Sequence, residues 1–203
     1  MLHDSGPVRI GVAGFMGAGK SSCAALCART RGMRLVDADA EAKLLMENDG
    51  RIKDALVLAF GTGIARSGVL TFAELGKIAF SSISGIEKLN RIVHPPLLRR
   101  LRDLVVSPAG PCVLDAALIP LWRIEDWFDC CLWVGAPSAV RESRVAARTG
   151  LPVEQVRERM RIQETLMPEP AGTKWIFVRN DGSLEDLAAR AGRGISDRVS
   201  PRA

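Results

Sequence analysis

The segment Gly14-Phe15-Met16-Gly17-Ala18-Gly19-Lys20-Ser21 constrains this chain more than any other. It fits G-x-x-x-x-G-K-[ST] in the one context where that pattern has a mechanism. Residues 8–13 before it are apolar and read as a buried strand, and residues 20–31 after it, rich in Ala and Leu, read as a helix. Glycines let backbone N–H groups turn inward as a nest around phosphate oxygens. Lys20 adds a positive charge at the β/γ positions, the Ser21 hydroxyl can ligate Mg²⁺, and the helix starting there aims its positive end at the anion. The segment predicts a nucleotide phosphate loop, and with it a strand–loop–helix unit.

The rest of the chain extends that unit. Residues 34–36 read as a second strand ending at Asp37, residues 112–114 and 131–134 as two more, and residues 175–178 as a fifth. Helices are expected over 138–149 and 153–164, with a last one capped by Ser183 and running from Leu184 to Ala191. From Gly192 the tail to residue 203 is polar and is expected to fray. Strands alternating with helices mean a parallel sheet covered on both faces. The expected architecture is therefore α/β: a five-stranded parallel sheet with helices on both faces, in a single domain over residues 1–191. Between the second and third strands, residues 40–102 read as almost wholly helical, broken at 48–50, at 61–63 and at Pro95-Pro96. That block is too long for a simple crossover, so part of it should stand off the sheet as a lobe. Ligands of parallel-sheet enzymes bind at the carboxyl ends of strands, and the strand-end motifs below lie there.

Asp37 and Asp39 stand at the end of the second strand. Two acids so placed can serve different partners, one near Mg²⁺ and one near an incoming hydroxyl; Asp39 can equally cap a helix starting at Ala40. Asp115, at the end of the third strand, is placed as a magnesium acid would be, and also as a turn acid would be. Arg141, Arg144 and Arg148 share one face of a helix, with Arg157, Arg159 and Arg161 in the next. Such a run is either a solvated basic face or an arginine lid closing over a transferring phosphate, over about residues 138–164. His94, before Pro95 and Pro96, sits where a helix is expected to end, and on its residues alone reads most simply as structural.

Charge and cysteine content narrow the class. There are 28 basic residues against 23 acidic, a net charge of +5, and 22 of the basic residues are arginine. Arginine suits planar, bidentate binding of phosphate or carboxylate. Nucleic acid is not an expected partner, because no stacking aromatics interleave with these arginines and tyrosine is absent. No apolar run approaches the ~20 residues of a membrane helix, and residues 1–6 carry no export signal. Five cysteines, an odd number without a C-x-x-C pair, read as structural thiols in a reducing compartment. The expected setting is cytoplasmic, with no membrane partner.

Together these residues resemble dephospho-coenzyme A kinases, within the P-loop nucleoside-monophosphate-kinase-like group. The likeness runs from Ile10 to Leu187. Beyond the phosphate loop it includes Val36-Asp37-Ala38-Asp39, Phe60-Gly61-Thr62-Gly63-Ile64, Gly68-Val69-Leu70, Phe80-Ser81 and Leu89 with Val93-His94-Pro95. The segment around Asp115, the pair Arg144 and Arg148, and the turn Asn180-Asp181-Gly182-Ser183 complete it. The resemblance implies transfer of the ATP γ-phosphoryl group to the ribose 3′-hydroxyl of dephospho-CoA, with Mg²⁺. It implies that Gly14, Gly17, Ala18, Gly19, Lys20, Ser21, Ser22 and Arg148 hold ATP. Asp39 would be the base and touch the acceptor, His94 would help shape an acceptor site in the helical lobe, and Arg144, with Lys20, would stabilise the phosphoryl group. Ser21, Asp37 and Asp115, the last through water, would lie at the metal; Arg141 matches no family position. The chain departs from the family pattern at three places. Phe15-Met16 stands for Gly-Ile, residues 117–121 lack a glutamate at Leu121, and Thr149 replaces an acid. Shikimate kinases share the loop and the D-x-D, but nothing like their triple-glycine motif follows Asp115. A P-loop GTPase would need N-K-x-D, and the nearest stretch, Arg179-Asn180-Asp181-Gly182, lacks the lysine.

Overall fold

The computed structural model describes residues 7–106 and 110–199; the expected lack of an export signal at residues 1–6 and the last four residues of the tail lie outside them. Strands β1 (Arg9–Ala13) and β2 (Arg34–Asp37) are followed by a short pair, β3 (Ala65–Arg66) and β4 (Val69–Leu70). Strands β5 (Cys112–Asp115), β6 (Cys130–Gly135) and β7 (Trp175–Arg179) come after. Helices are α1 (Lys20–Arg31), α2 (Ala38–Asn48), α3 (Gly50–Phe60), α4 (Phe72–Ala79), α5 (Ile83–Val106), α6 (Ile119–Trp122), α7 (Ser138–Thr149), α8 (Val153–Leu166) and α9 (Leu184–Ser196). The described residues fall into two compact units: one holds those up to Asp37 and those from Val105 onward, the other is Ala38–Leu104.

The first unit is built on the expected sheet, in the order β2-β5-β1-β6-β7, with every pairing parallel. Strands of such a sheet are buried on both faces and so read as continuous apolar runs. On one face Ile10, Val12, Val113, Leu132, Val134 and Val178 pack against Cys23, Ala24 and Cys27 of α1 and Leu187, Ala191 and Ile195 of α9. On the other, Gly11 leaves just the room that Ile119 of α6, Phe128 and Cys131 fill; a Cβ there would lie 3.0–3.1 Å from all three. The cysteines are free and buried, and burial pushes the Cys130 thiol up to about 12. They act as small apolar residues.

The second unit has its own core: Met46 of α2, Ile52 and Leu56 of α3, Ile64, Leu70 of β4, Leu75 and Ala79 of α4, and Val93 of α5. The breaks at 48–50 and 61–63 fall where expected, but between Phe60 and Phe72 the chain also forms a hairpin. Ser67 and Gly68 both take positive φ, 50° and 77°, which suits a tight two-residue hairpin turn. At two residues per strand, no period could announce it.

Two helix ends differ from expectation. Instead of stopping at His94, α5 carries Pro95 and Pro96 inside it. Each proline removes one helix hydrogen bond, yet Val93, Leu97, Leu101 and Val105 recur every four residues and are all buried. Burial of that stripe outweighs the missing bonds. The expected fray from Gly192 is also displaced, since α9 runs to Ser196 and Ile195 is fully buried. Ser183 caps this helix reciprocally with Asp186, as the sequence suggested. Ile195→Ala should lower stability by about 2–5 kcal/mol in urea unfolding; a change below about 0.5 kcal/mol would mean that the last turn frays.

Candidate active site

The phosphate loop joins β1 to α1 and is wedged between three other segments of backbone and side chain. Gly14, Gly17 and Gly19 have φ of 154°, 78° and 91°, and each is also sterically required. A Cβ on Gly14 would lie 2.4 Å from the Val134 carbonyl oxygen, one on Gly17 2.6 Å from that of Arg141, and one on Gly19 2.1 Å from the Asn180 amide nitrogen. Glycine here answers close approach as well as dihedral freedom. The turn is closed by Ala18 N–H donating to the Phe15 carbonyl at 3.0 Å, and the first α1 bond is Cys23 N–H to Gly19. The first-turn N–H groups of Lys20, Ser21 and Ser22 have no partner within the helix, which is the donor set an anion meets.

Lys20 Nζ lies 3.3 Å from Asp115 Oδ1 and is 18% exposed, against 5% for Asp115. It also donates to Ser21 Oγ at 3.5 Å. The contact with Asp115 is an ion pair without hydrogen-bond alignment, so the buried Oδ1 accepts no hydrogen bond. Asp115 closes β5 and stands in register with Asp37 at the end of β2. A hydroxyl and two carboxylates at adjacent strand and helix ends are hard oxygen donors of the kind Mg²⁺ takes. Among the described residues no group of three or more His, Cys, Asp or Glu converges as a metal cage.

Arg144 reaches the loop: its guanidinium donates to the Gly17 carbonyl at 3.5 Å and to the Asn180 carbonyl at 3.2 Å. Arg148, one turn on, is exposed. Arg141 contradicts the solvated-face reading: it is 7% exposed, pairs with Glu164 of α8 at 2.6 Å, and lies 5.4 Å over the Phe15 ring. The first family departure is thereby accounted for. Phe15 also meets Trp133 edge-on at 5.0 Å, and Met16 packs on Val145, Val156 and Met160. Thr149 bonds back to the Val145 carbonyl and ends α7 before Gly150, whose φ is 68°.

Asn180 carries more structure than its place in a turn suggested. Its side-chain amide donates to the Ala18 carbonyl at 2.7 Å and its N–H to the Gly135 carbonyl at 2.7 Å. Asp181 beside it pairs with both Arg179 and Arg190, which hold its carboxyl below the ordinary range. Gln163, not singled out from sequence, accepts from Met16 N–H at 2.7 Å. Both contacts span more than half the chain, so no local pattern could have shown them.

Asp39 and His94 belong to the second unit. Asp39 is not the cap of a helix beginning at Ala40: α2 starts at Ala38, and Asp39 lies within its first turn, where a carboxylate complements the helix dipole. Glu41, also in that turn, pairs with Arg100 of α5. Burial lowers the His94 pKa to about 4, so its ring is neutral at pH 7.

Comparison with known proteins places this geometry. The dephospho-CoA kinase family model matches residues 8–186. The dephospho-CoA kinase of Frankia casuarinae is 37% identical over 186 residues, covering 89% of this chain and 79% of that protein. That of Thermobifida fusca is 33% identical, covering 90% and 92%. The crystal structure of TT1252 from Thermus thermophilus superposes with a TM-score of 0.73 at 31% identity, covering 97% of this chain and all of that one. A shikimate kinase from Aquifex aeolicus, at 13% identity and a TM-score of 0.56, shares the fold alone. The chain belongs to the dephospho-CoA kinase family.

Proposed function

We propose that this chain transfers the γ-phosphoryl group of ATP to the ribose 3′-hydroxyl of dephospho-CoA, with the residue roles that follow. The observation that carries the reading is the convergence of an ammonium, a helix amino end and a guanidinium on one loop, within a chain matched to the family over residues 8–186. The N–H groups of Gly17 and of Gly19 to Ser22 hold the phosphates, and Lys20 neutralises charge at the β/γ oxygens. Its contact with Asp115 supports this, because a carboxylate at 3.3 Å fixes where the ammonium sits. Phosphoryl transfer spreads negative charge over the equatorial oxygens, and a planar guanidinium placed there binds the transition state better than the ground state. Arg144, braced by two carbonyls, supplies it; Arg148 holds ATP from the same helix. Asp39 takes the 3′-hydroxyl proton, and neutral His94 helps to shape the acceptor site. Ser21, Asp37 and Asp115, the last through water, would hold Mg²⁺, which when bound neutralises charge on the β and γ oxygens.

ADP release should depend on dephospho-CoA and not on shikimate. Turnover with shikimate, or none with dephospho-CoA, overturns the reading. Asp39→Asn should lower kcat by roughly 10²–10⁴ while ATP still binds, measured by steady-state kinetics and nucleotide titration; near-normal kcat would move the base to Asp37. Two arginines one turn apart should behave differently. Arg144→Lys keeps the charge but loses the planar fork, so kcat should fall while the unfolding midpoint moves less than in Arg141→Lys. Arg141→Lys should cost about 1–2 kcal/mol of stability, since Arg141 sits buried between Phe15 and Glu164. Equal behaviour of the two in kinetics and unfolding would contradict both assignments.

A further inference from the structure

We propose that Gln163 of α8 is a positioning residue for the phosphate loop, acting through the Met16 backbone and not through substrate. The proposal rests on the kinase reading and deepens it. Met16 N–H donates to Gln163 Oε1 at 2.7 Å, across 147 positions of sequence. Two loop amides are engaged away from an anion, that of Met16 by Gln163 and, separately, that of Ala18 by the Phe15 carbonyl. The donors that remain for phosphate lie toward the start of α1. A nest binds anions only when its N–H vectors are fixed to agree, and the bond at Met16 fixes the rim from which they turn.

Gln163 is itself held in place by its surroundings. Glu164, the next residue, pairs with Arg141 of α7 at 2.6 Å, and Arg141 covers the Phe15 ring. The Met16 side chain packs on Val145 of α7 and on Val156 and Met160 of α8. The backbone of Arg141 closes on Gly17 so tightly that a Cβ would meet it at 2.6 Å. Three successive loop residues are thus gripped in three ways: Phe15 by a cation over its ring, Met16 by a hydrogen bond and apolar packing, Gly17 by backbone contact. Only the grip at Met16 fixes the direction of an amide. A side chain that ends in a planar carbonyl suits that task, because its oxygen accepts well from a backbone N–H.

Gln163→Met keeps length and removes the acceptor, leaving Met16 N–H without its partner. Its kcat/KM for ATP should fall roughly 10- to 100-fold, while KM for dephospho-CoA stays within about twofold of wild type, both measured well below the unfolding midpoint. Gln163→Glu retains an acceptor and should return kcat/KM for ATP to within about threefold of wild type. Unchanged ATP kinetics in Gln163→Met, equal losses in both variants, or a matching rise in KM for dephospho-CoA would overturn the proposal. Amide hydrogen exchange on the wild-type chain without added nucleotide decides it independently of how the variants fold. Met16 N–H should exchange at least about 100-fold slower than in an unstructured peptide, and free exchange would overturn the proposal. This second measurement needs no turnover, so its failure is distinct from failure of the kinase reading, which inactivity of the wild type toward dephospho-CoA would mark.

Discussion

A phosphate loop is a stretch of backbone that must present its N–H groups to an anion while other backbone closes in around it. In this chain that closeness is the constraint on which the rest of the structure depends. Val134, Arg141 and Asn180 approach Gly14, Gly17 and Gly19 so nearly that no Cβ fits at any of the three. The strand before the loop is therefore set against β6, the crown of the loop against α7, and the start of α1 against the turn after β7. Three parts of the chain, each far from the loop in sequence, are positioned by contacts with its residues. The sheet order makes this possible, because β1 lies between β5 and β6 with β7 next beyond, and a parallel sheet brings their carboxyl ends to one side.

The chemistry follows from what those neighbours carry. From β5 comes Asp115, which pairs with Lys20; from the turn after β7 comes Asn180, which holds the Ala18 carbonyl; from α7 comes Arg144, whose guanidinium bridges the Gly17 and Asn180 carbonyls. Positive charge and N–H donors are held by packing and hydrogen bonds, so little reorganisation is needed to meet a polyphosphate. Preorganisation of that kind is the main source of electrostatic catalysis. The acid and the histidine assigned to the acceptor, Asp39 and His94, belong to Ala38–Leu104, a unit with its own hydrophobic core. Asp39 is the second residue of that unit and lies two positions after Asp37, which ends β2.

How much of this is legible in the sequence depends on range. Local signals located the loop, the five sheet strands and the helices after four of them, but not α6 after β5. Local signals erred where burial decided the outcome. Two prolines predict a helix end at His94, but the Val93–Leu97–Leu101–Val105 stripe carries α5 through them. The polar run from Gly192 predicts fraying, but Ile195 anchors the last turn of α9. Arginine spacing gives the shared face of Arg141, Arg144 and Arg148 but not what covers it. Arg141 is buried because Phe15 and Glu164, 126 positions before it and 23 after, meet on it. The resemblance supplied Asn180 as part of a turn, while its bond to Ala18, 162 positions away, and the bond of Gln163 to Met16 belong to tertiary structure alone.

The central claim, that this cradle delivers the γ-phosphoryl group to a ribose hydroxyl and not to water, is tested most directly by phosphorus NMR of a reaction containing the chain, ATP, Mg²⁺ and dephospho-CoA. The account predicts a new phosphomonoester at the ribose 3′ position, growing in equal amount with ADP while inorganic phosphate stays at its background level. ADP accompanied by inorganic phosphate with the acceptor unchanged, or a phosphoryl group at any other position of the acceptor, would contradict it.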